Sequence, residues 1–579
     1  MDDATRPLRD DSRGTAAALA AEGGTPGGLG MRLAAPRGDV GTSLGTPAGG
    51  SQVALLVREV AWREPAEAFA LWAGSDGLAF LDSAGPVGER SRYSYLCVEP
   101  FRVLRCGAGG PPAPGRASRG DAAEDGVSVD GVAVGADPFT ALEAELRRFR
   151  LPAGAGPLPF CGGAVGLLGY GLGRWLERLP CRHADDLGIP DAHVGFYDLV
   201  MGFDRAGRRA WVMSSGFPEA DPARRAARAA DRAAAAVRRL DGEWPPGKAS
   251  KVEALPQTPP KGEPFGNTYL SEAGPGGASP LAGLGRAQPC LLAHAGWEPE
   301  LDRTGYEARV REAQALIRAG DVFEVNVTMR HRAARTGALA GADEAVHLAL
   351  RRASANPFGA FLRCGPRLAV ASASPERFLH LDAQGWVETR PIKGTRPRGA
   401  TPEADAALRR ELAASEKDRA ENLMIVDLMR NDLGRVCRIG SVSVPALWEV
   451  ETFSSVHHLV SVVRGRLREG LGAVDLLRAT FPGGSVTGAP KIRALEVIDE
   501  LESSRRGPYC GAVVAIGFDG AMDSSIVIRT LVLTPEAVVA QAGGAVVSDS
   551  DPASEYDEML TKVAPLLGVF GGEGQGEQG

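Results

Sequence analysis

PIKGT (391–395) is the stretch around which this 579-residue chain is read. A lysine follows two residues that favour extended backbone and precedes a Gly-Thr pair. It belongs to an ordered set of short blocks: SASPERFL (372–379), KDRAENLMIVDLMRNDLG (417–434), VHHLVS (456–461), PGGSVTGAPK (482–491), IVIRTL (526–531) and EYDEMLTK (555–562). Around them, region 298–570 mixes helices and strands. YEARVREAQALIRAG (306–320) has the apolar spacing of a helix that stops at Gly320. VFEVNVTMR (322–330) alternates as a strand does, and RLAVAS (367–372), WVETRPI (386–392) and the run after Tyr509 also read as strands. The stretch 401–432 reads as one helix, opened at Thr401 with Pro402 in the first-turn place.

Upstream, order is expected from about Val53. FLDSA (80–84), RYSYL (92–96) and FCGGAVGLLGYGLGRWLERLP (160–180) carry apolar and aromatic material between turn residues, and 222–240 is an Ala- and Arg-rich helix former. Residues 1–52 read as a disordered extension, 109–126 as a solvated loop, 241–297 as a Pro/Gly-rich linker and 571–579 as a flexible tail. The linker divides an N-terminal region, 53–240, from the region 298–570, and both are expected to contribute to one body.

Hydrophobic residues make up 44% of the chain, enough for a sizeable core, while the net charge of −7 excludes a general nucleic-acid binder. No apolar run approaches the roughly 18 residues of a membrane span. The start, MDDATRPLRDD, lacks the basic-then-apolar pattern of a secretory signal. The eight cysteines are scattered without a CxxC pair, as expected of reduced thiols in a cytoplasmic protein.

The residues with chemical potential are these. Asp418 and Glu421 are three apart on one helix, as are Glu555 and Glu558, so each pair shares a face. If the faces met, up to four carboxylates would gather, and hard oxygen donors favour Mg2+. Taken alone, each pair reads first as an exposed helix face. In PGGSVTGAPK, Thr487 could cap a helix beginning near Pro490, but Gly488 is followed by Ala-Pro, which excludes a phosphate loop of the NTPase kind. His457 and His458 are strand neighbours, so at most one readily faces a given pocket. Arg529 lies in an apolar strand, where it needs an anion, either a ligand carboxylate or a structural Asp or Glu. Lys393 would serve as a nucleophile only if neutral, and its neighbours decide that.

The blocks together resemble the chorismate-utilising enzymes of the anthranilate synthase component I family, across nearly all of 300–567 and more weakly over 53–215. Lys393 is similar to the lysine of the aminodeoxychorismate synthase component I branch, where anthranilate synthases usually carry alanine. The resemblance implies an α+β fold: a large antiparallel β-sandwich with surrounding helices. It implies conversion of chorismate and ammonia to 4-amino-4-deoxychorismate for para-aminobenzoate and folate synthesis. Lys393 would be the nucleophile, Glu376 the acid beside the departing hydroxyl and His458 the catalytic histidine. Glu421 and Glu558, with Asp418 and Glu555 nearby or bridged by water, would hold Mg2+. Thr395, Gly394, Thr487, Gly488, Tyr509, Arg529, Gly544, Lys562 and Glu324 match substrate-side positions.

The chain holds no Gly-x-Cys-x-Gly nucleophile turn, so ammonia would come from a separate glutamine amidotransferase subunit. Glu324 stands where glutamine is frequent in amino-transferring relatives and lysine is usual in the water-using isochorismate and salicylate enzymes; the absence of lysine counts against water activation. Val514-Ala515 replaces a frequent Gly-Tyr pair, and Ala545 a frequent glycine; both are expected to reshape the substrate pocket slightly. FLDSA resembles the segment that helps form a tryptophan-type pocket in relatives. Anthranilate synthase component I is the nearest alternative reading, and a catalytically inactive ligand-binding subunit another.

Overall fold

Residues 512–517, AVVAIG, are buried at every position, as are 163–168 and 199–204. A strand buried on both faces must lie between two apolar layers. The computed structural model describes residues 55–107, 126–242, 296–335, 341–453 and 456–570. In it, two 12-stranded sheets, antiparallel throughout, share one apolar layer. Ala79, Cys97, Leu362 and Val539 of one sheet and Val165, Leu167, Val513 and Ala515 of the other fill that layer. Their sequence neighbours alternate outward. Phe80, Leu96, Phe361 and Val538 lie in a core shared with helices Arg303–Ala319 and Pro552–Gly568. Ala164, Leu168, Val514 and Ile516 share another with Glu416–Gly434 and Ala473–Thr480. The result is the expected α+β sandwich flanked by helices.

Each sheet draws strands from both halves of the chain. Ala79–Asp82 pairs with Phe358–Arg363 in one, and Ala164 lies opposite Ile516 in the other. All described residues fall within one compact unit, Gly49–Gly579. The extension 1–52, nearly all of the loop 109–126 and the linker 241–297, and the tail 571–579 lie outside the described residues. Among the described residues no helix is long and apolar enough to cross a membrane.

Local chemistry explains most element ends. The Asp221 carboxylate accepts from Arg224 N at the start of Pro222–Leu240, and Asp302 accepts from Gly305 N at the start of Arg303–Ala319, which closes on Gly320 in the left-handed region (φ 87°). Four expectations need correction. The stretch 401–432 is two helices, Pro402–Ala414 and Glu416–Gly434, because Ser415 leaves helical geometry and its Oγ accepts from Asp418 N as a new cap. WVETRPI ends as a strand at Thr389, and a second strand, Ile392–Pro397, starts after Pro391. IVIRTL is broken: one strand ends at Ile526, the next starts at Thr530, and Arg529 sits between them at φ 53°. Thr487 caps no helix. Its hydroxyl donates to the carbonyls of Gly483 and Gly484, and Pro490 itself occupies the cap position of Lys491–Leu501.

Candidate active site

The strand Ile392–Pro397 pairs with Val456–Arg466, Ile392 opposite Val460 but Thr395 opposite His458. The register slips by one residue across Lys393-Gly394, a bulge of the kind that re-aims a side chain. Gly394 makes it possible with φ 80°, and a Cβ there would stand 2.7 Å from Asp418 Cγ. Lys393 is thereby turned inward and buried. Its Nζ donates to Glu324 Oε1 at 2.7 Å. Glu324 opens the strand Glu324–Ala334, is wholly buried, and its Oε2 has no hydrogen-bond partner. Gly488 holds that strand end. It lies opposite Val325, and a Cβ on it would fall 2.1 Å from the Glu324 carbonyl oxygen.

Burial works against the charge on Lys393, but Glu324, Glu421 and Glu376 together hold the ammonium above the ordinary lysine range. Burial pushes Glu376 up to about 7, against the Ser485 hydrogen bond and the Lys393 charge. Burial likewise pushes Glu421 up to about 7, against Lys393 and Lys417. Glu376 is fixed by its backbone: its N–H donates to Ser374 Oγ at 3.2 Å and its carbonyl accepts from Ile526 N at 3.2 Å.

The two acidic helices do converge. Lys417 Nζ lies 3.8 Å from Glu421 Oε1 and 3.6 Å from Glu555 Oε1. Glu555 also accepts from Ser550 Oγ at 2.8 Å, and a Cβ on Gly544 would come within 2.8 Å of its other oxygen. Burial raises the Glu555 carboxyl, whereas in Glu558 the same burial is outweighed by Lys562, with Lys417 and Lys393 behind it, and the net shift is downward. Lys562 Nζ is 2.7 Å from Glu558 Oε1 and donates to the Gly543 carbonyl at 2.9 Å. Asp418 turns the other way, toward Gly394 and Arg396 Nη2 at 3.3 Å.

These donors suit a hard cation. Among the described residues no group of three or more His, Cys, Asp or Glu side chains is drawn together as a metal cluster. Mg2+ is usually held by one or two carboxylates plus substrate and water, however. Glu421 and Glu555 meet that need, and the half-exposed ammonium of Lys417 is the positive charge that now reconciles them.

On the neighbouring strand, Thr395 Oγ1 lies 2.9 Å from His458 Nδ1. Burial, reinforced by Arg529, lowers His458 to about 4, so its ring is neutral at pH 7. His457 faces the opposite side, fully buried between Thr452 and Asp405. Arg529 Nη1 donates to the Lys562 carbonyl at 2.8 Å, and no carboxylate among the described residues lies within ion-pair distance of it. Burial lowers its pKa, with Tyr509 and Glu558 opposing. The Tyr509 phenol is buried and pushed well up.

Thus Lys393, Glu324, Glu376 and Glu421 form one connected group, joined through Lys417 to Glu555, while Glu558, Lys562 and Arg529 are linked to one another. Three contributors escaped the sequence reading: Lys417, Ser485 and Ser550. Lys417 stands one helical turn before Glu421 and Ser485 lies inside PGGSVTG, but their reach across elements leaves no local signal. The departures separate as well. Ala545 lies opposite Asn326 beside Gly544. Ala515 instead lines a cavity of about 350 Å3 between the sheets, with Leu81 and Ser83 of FLDSA.

Comparison with known proteins fits this arrangement. The family model described as chorismate binding enzyme matches residues 286–568. Over 433 residues the chain is 43% identical to aminodeoxychorismate synthase component 1 of Klebsiella aerogenes, covering 75% of this chain and 82% of that protein. The chain belongs to the chorismate-binding enzyme family. Another family member, anthranilate synthase component 1 of Streptomyces coelicolor, is 38% identical over 504 residues, 87% of this chain and 86% of its own length. The crystal structure of anthranilate synthase component I from Streptococcus pneumoniae superposes with a TM-score of 0.64 at 29% identity, covering 83% of this chain and 93% of that one. The chorismate-binding fold and class are therefore shared with relatives of two different names, and the choice between them rests on the site.

Proposed function

We propose that this chorismate-utilising enzyme is an aminodeoxychorismate synthase component I. It replaces the ring hydroxyl of chorismate by an amino group and retains the enolpyruvyl ether. The observation that carries this reading is Lys393, turned by a bulge into a buried group of carboxylates that includes Glu376 with a pKa of about 7. Lys393 Nζ bonds to the ring carbon distal to the hydroxyl, the double bond shifts, and the C–O bond breaks. Glu376, whose pKa burial raises to about 7, gives its proton to the leaving oxygen, which departs as water. Ammonia then bonds where the hydroxyl was and expels the lysine. Covalent catalysis of this kind divides one hard displacement into two easier ones.

Arg529, with no acidic partner among the described residues, suits a substrate carboxylate bidentately. Neutral His458, held by Thr395, lies near enough for Arg529 to affect its charge and would border the ring. Glu421 and Glu555, with Glu558 on the same helix as Glu555, would hold Mg2+, which would neutralise the ring carboxylate, while Asp418 packs against Gly394 and Arg396. Ammonia would come from glutamine through a separate amidotransferase subunit, in keeping with the component 1 name of the relatives. The setting is cytoplasmic, where the seven free cysteines among the described residues would stay reduced. The test is incubation of the purified chain with chorismate, Mg2+ and ammonium, with the product identified by mass. 4-Amino-4-deoxychorismate is expected, and direct formation of fluorescent anthranilate would overturn the reading.

A further inference from the structure

A nucleophilic amine must be neutral, yet Lys393 is held here as an ammonium. Something must take its proton. Glu376 is committed to the leaving oxygen, and Glu421 shares Lys417 with Glu555. Among the described residues, the one carboxylate oxygen within hydrogen-bond distance of Nζ is Glu324 Oε1, at 2.7 Å. Glu324 is fixed from behind by its strand pairing to Ala489 and by Gly488 packed on its carbonyl. Its second oxygen is buried and has no hydrogen-bond partner among the described residues. Burial penalises both charges of the pair at once, and that penalty is relieved when the proton crosses from Nζ to the carboxylate.

We infer that Glu324 is the catalytic base, then acid, of Lys393. This rests on the reading of Lys393 as nucleophile. The Nζ proton passes to Oε1, leaving a neutral amine and a neutral carboxylic acid. The amine bonds to the ring carbon and becomes a charged secondary ammonium, while the hydroxyl leaves as water with the Glu376 proton. When ammonia bonds to the vacated carbon, the C–Nζ bond breaks and its electron pair returns to Lys393. Glu324 then gives back the stored proton and the ion pair is restored. The new ammonium on the product reprotonates Glu376, so the sum is chorismate plus ammonia to aminodeoxychorismate plus water.

The test uses the full chain with Mg2+ and ammonium, comparing native protein, Glu324→Gln and Glu324→Asp from pH 6 to 10. Glutamine keeps the length and still accepts from Nζ but takes no proton. Its kcat should fall about 10²- to 10⁴-fold, the usual worth of a positioned proton acceptor, with chorismate KM within threefold. Its kcat should then rise about tenfold per pH unit over a range where the native rate does not, as solvent base does the work. Aspartate opens the transfer distance by one methylene, so its kcat should fall tenfold or more but stay above that of glutamine, with the native pH profile. A glutamine variant within threefold of native, or one slowed equally at every pH, overturns the proposal. If glutamine prevents folding, the aspartate variant decides: native-like kcat there overturns it. A native chain that makes no aminodeoxychorismate defeats the underlying reading instead, and does so before any variant is compared.

Discussion

Lys393→Met tests how the buried charges hold one another. Lys393 and Glu324 are both buried, their atoms 2.7 Å apart, and Glu324 Oε2 has no hydrogen-bond partner among the described residues. Methionine fills the space of the lysine stem but leaves the carboxylate charged and alone. Removing one member of a buried pair typically costs about 3–5 kcal/mol. Part of that cost can be escaped if Glu324 takes up a proton, so the loss should be smaller at pH 6 than at pH 8.5. Glu324→Gln on the same background removes the stranded charge, and the double variant should recover about 2–3 kcal/mol of the loss, a coupling within the range for contacting residues. The assay is urea unfolding followed by fluorescence of the eight tryptophans, at both pH values, for the native chain, two single variants and the double variant. A loss below about 1 kcal/mol at pH 8.5, with no growth from pH 6 and additive behaviour in the double variant, would refute the argument that these two groups are paired in a low-dielectric interior.

Four further outcomes follow from the same geometry. Gly394→Ala forces an L-residue into φ 80° and sets a Cβ against Asp418. It should cost about 2–5 kcal/mol, from about 1–2 for the backbone and about 1–3 for overpacking, read by urea unfolding, and should abolish turnover by moving Lys393. Glu376 has its folded pKa raised to about 7 from 4.5 by burial. Its neutral form is the one the fold favours, so its contribution is complete below about pH 4.5 and is lost as pH rises through 7. The stability of the native chain relative to Glu376→Gln should fall across that window, and turnover should fall on its basic side. Arg529→Met should raise chorismate KM tenfold or more in steady-state assays, because no acidic side chain among the described residues competes for that guanidinium. Chelation of Mg2+ should stop product formation, and isothermal titration should show Mg2+ binding weakened at least tenfold by Glu421→Gln.

The sandwich was expected from the resemblance of the ordered blocks to a known family, because periodicity yields single strands such as 322–330 and the run after Tyr509 but not how they layer. The helix stop at Gly320 was readable from the sequence, whereas the caps at Asp221 and Asp302 emerged only in the structure. The failures came where one side chain had two possible uses. Ser415 looked like helix interior and is a cap, and Thr487 looked like a cap and satisfies carbonyls instead. In the site, the spacing of Glu421 and Glu555 showed that each could lie on a helix face, but their convergence on Lys417 depends on packing between distant helices. The bulge at Lys393 was hidden as well, since a one-residue register slip belongs to the pair of strands and to neither alone.

The interleaving of early and late strands has a consequence for biosynthesis. Ala164 pairs with Phe196 on one side but has no strand partner on the other until Ile516 has left the ribosome, and Ala360 must arrive before Leu81 is paired on that side. The first half of the nascent polypeptide therefore emerges with bare, apolar edges that can join only partners made much later. Such edges invite association between unfinished copies. Shielding of the first 240 residues during translation, by chaperones or by slow, dilute expression, is the condition under which this enzyme should be recovered intact.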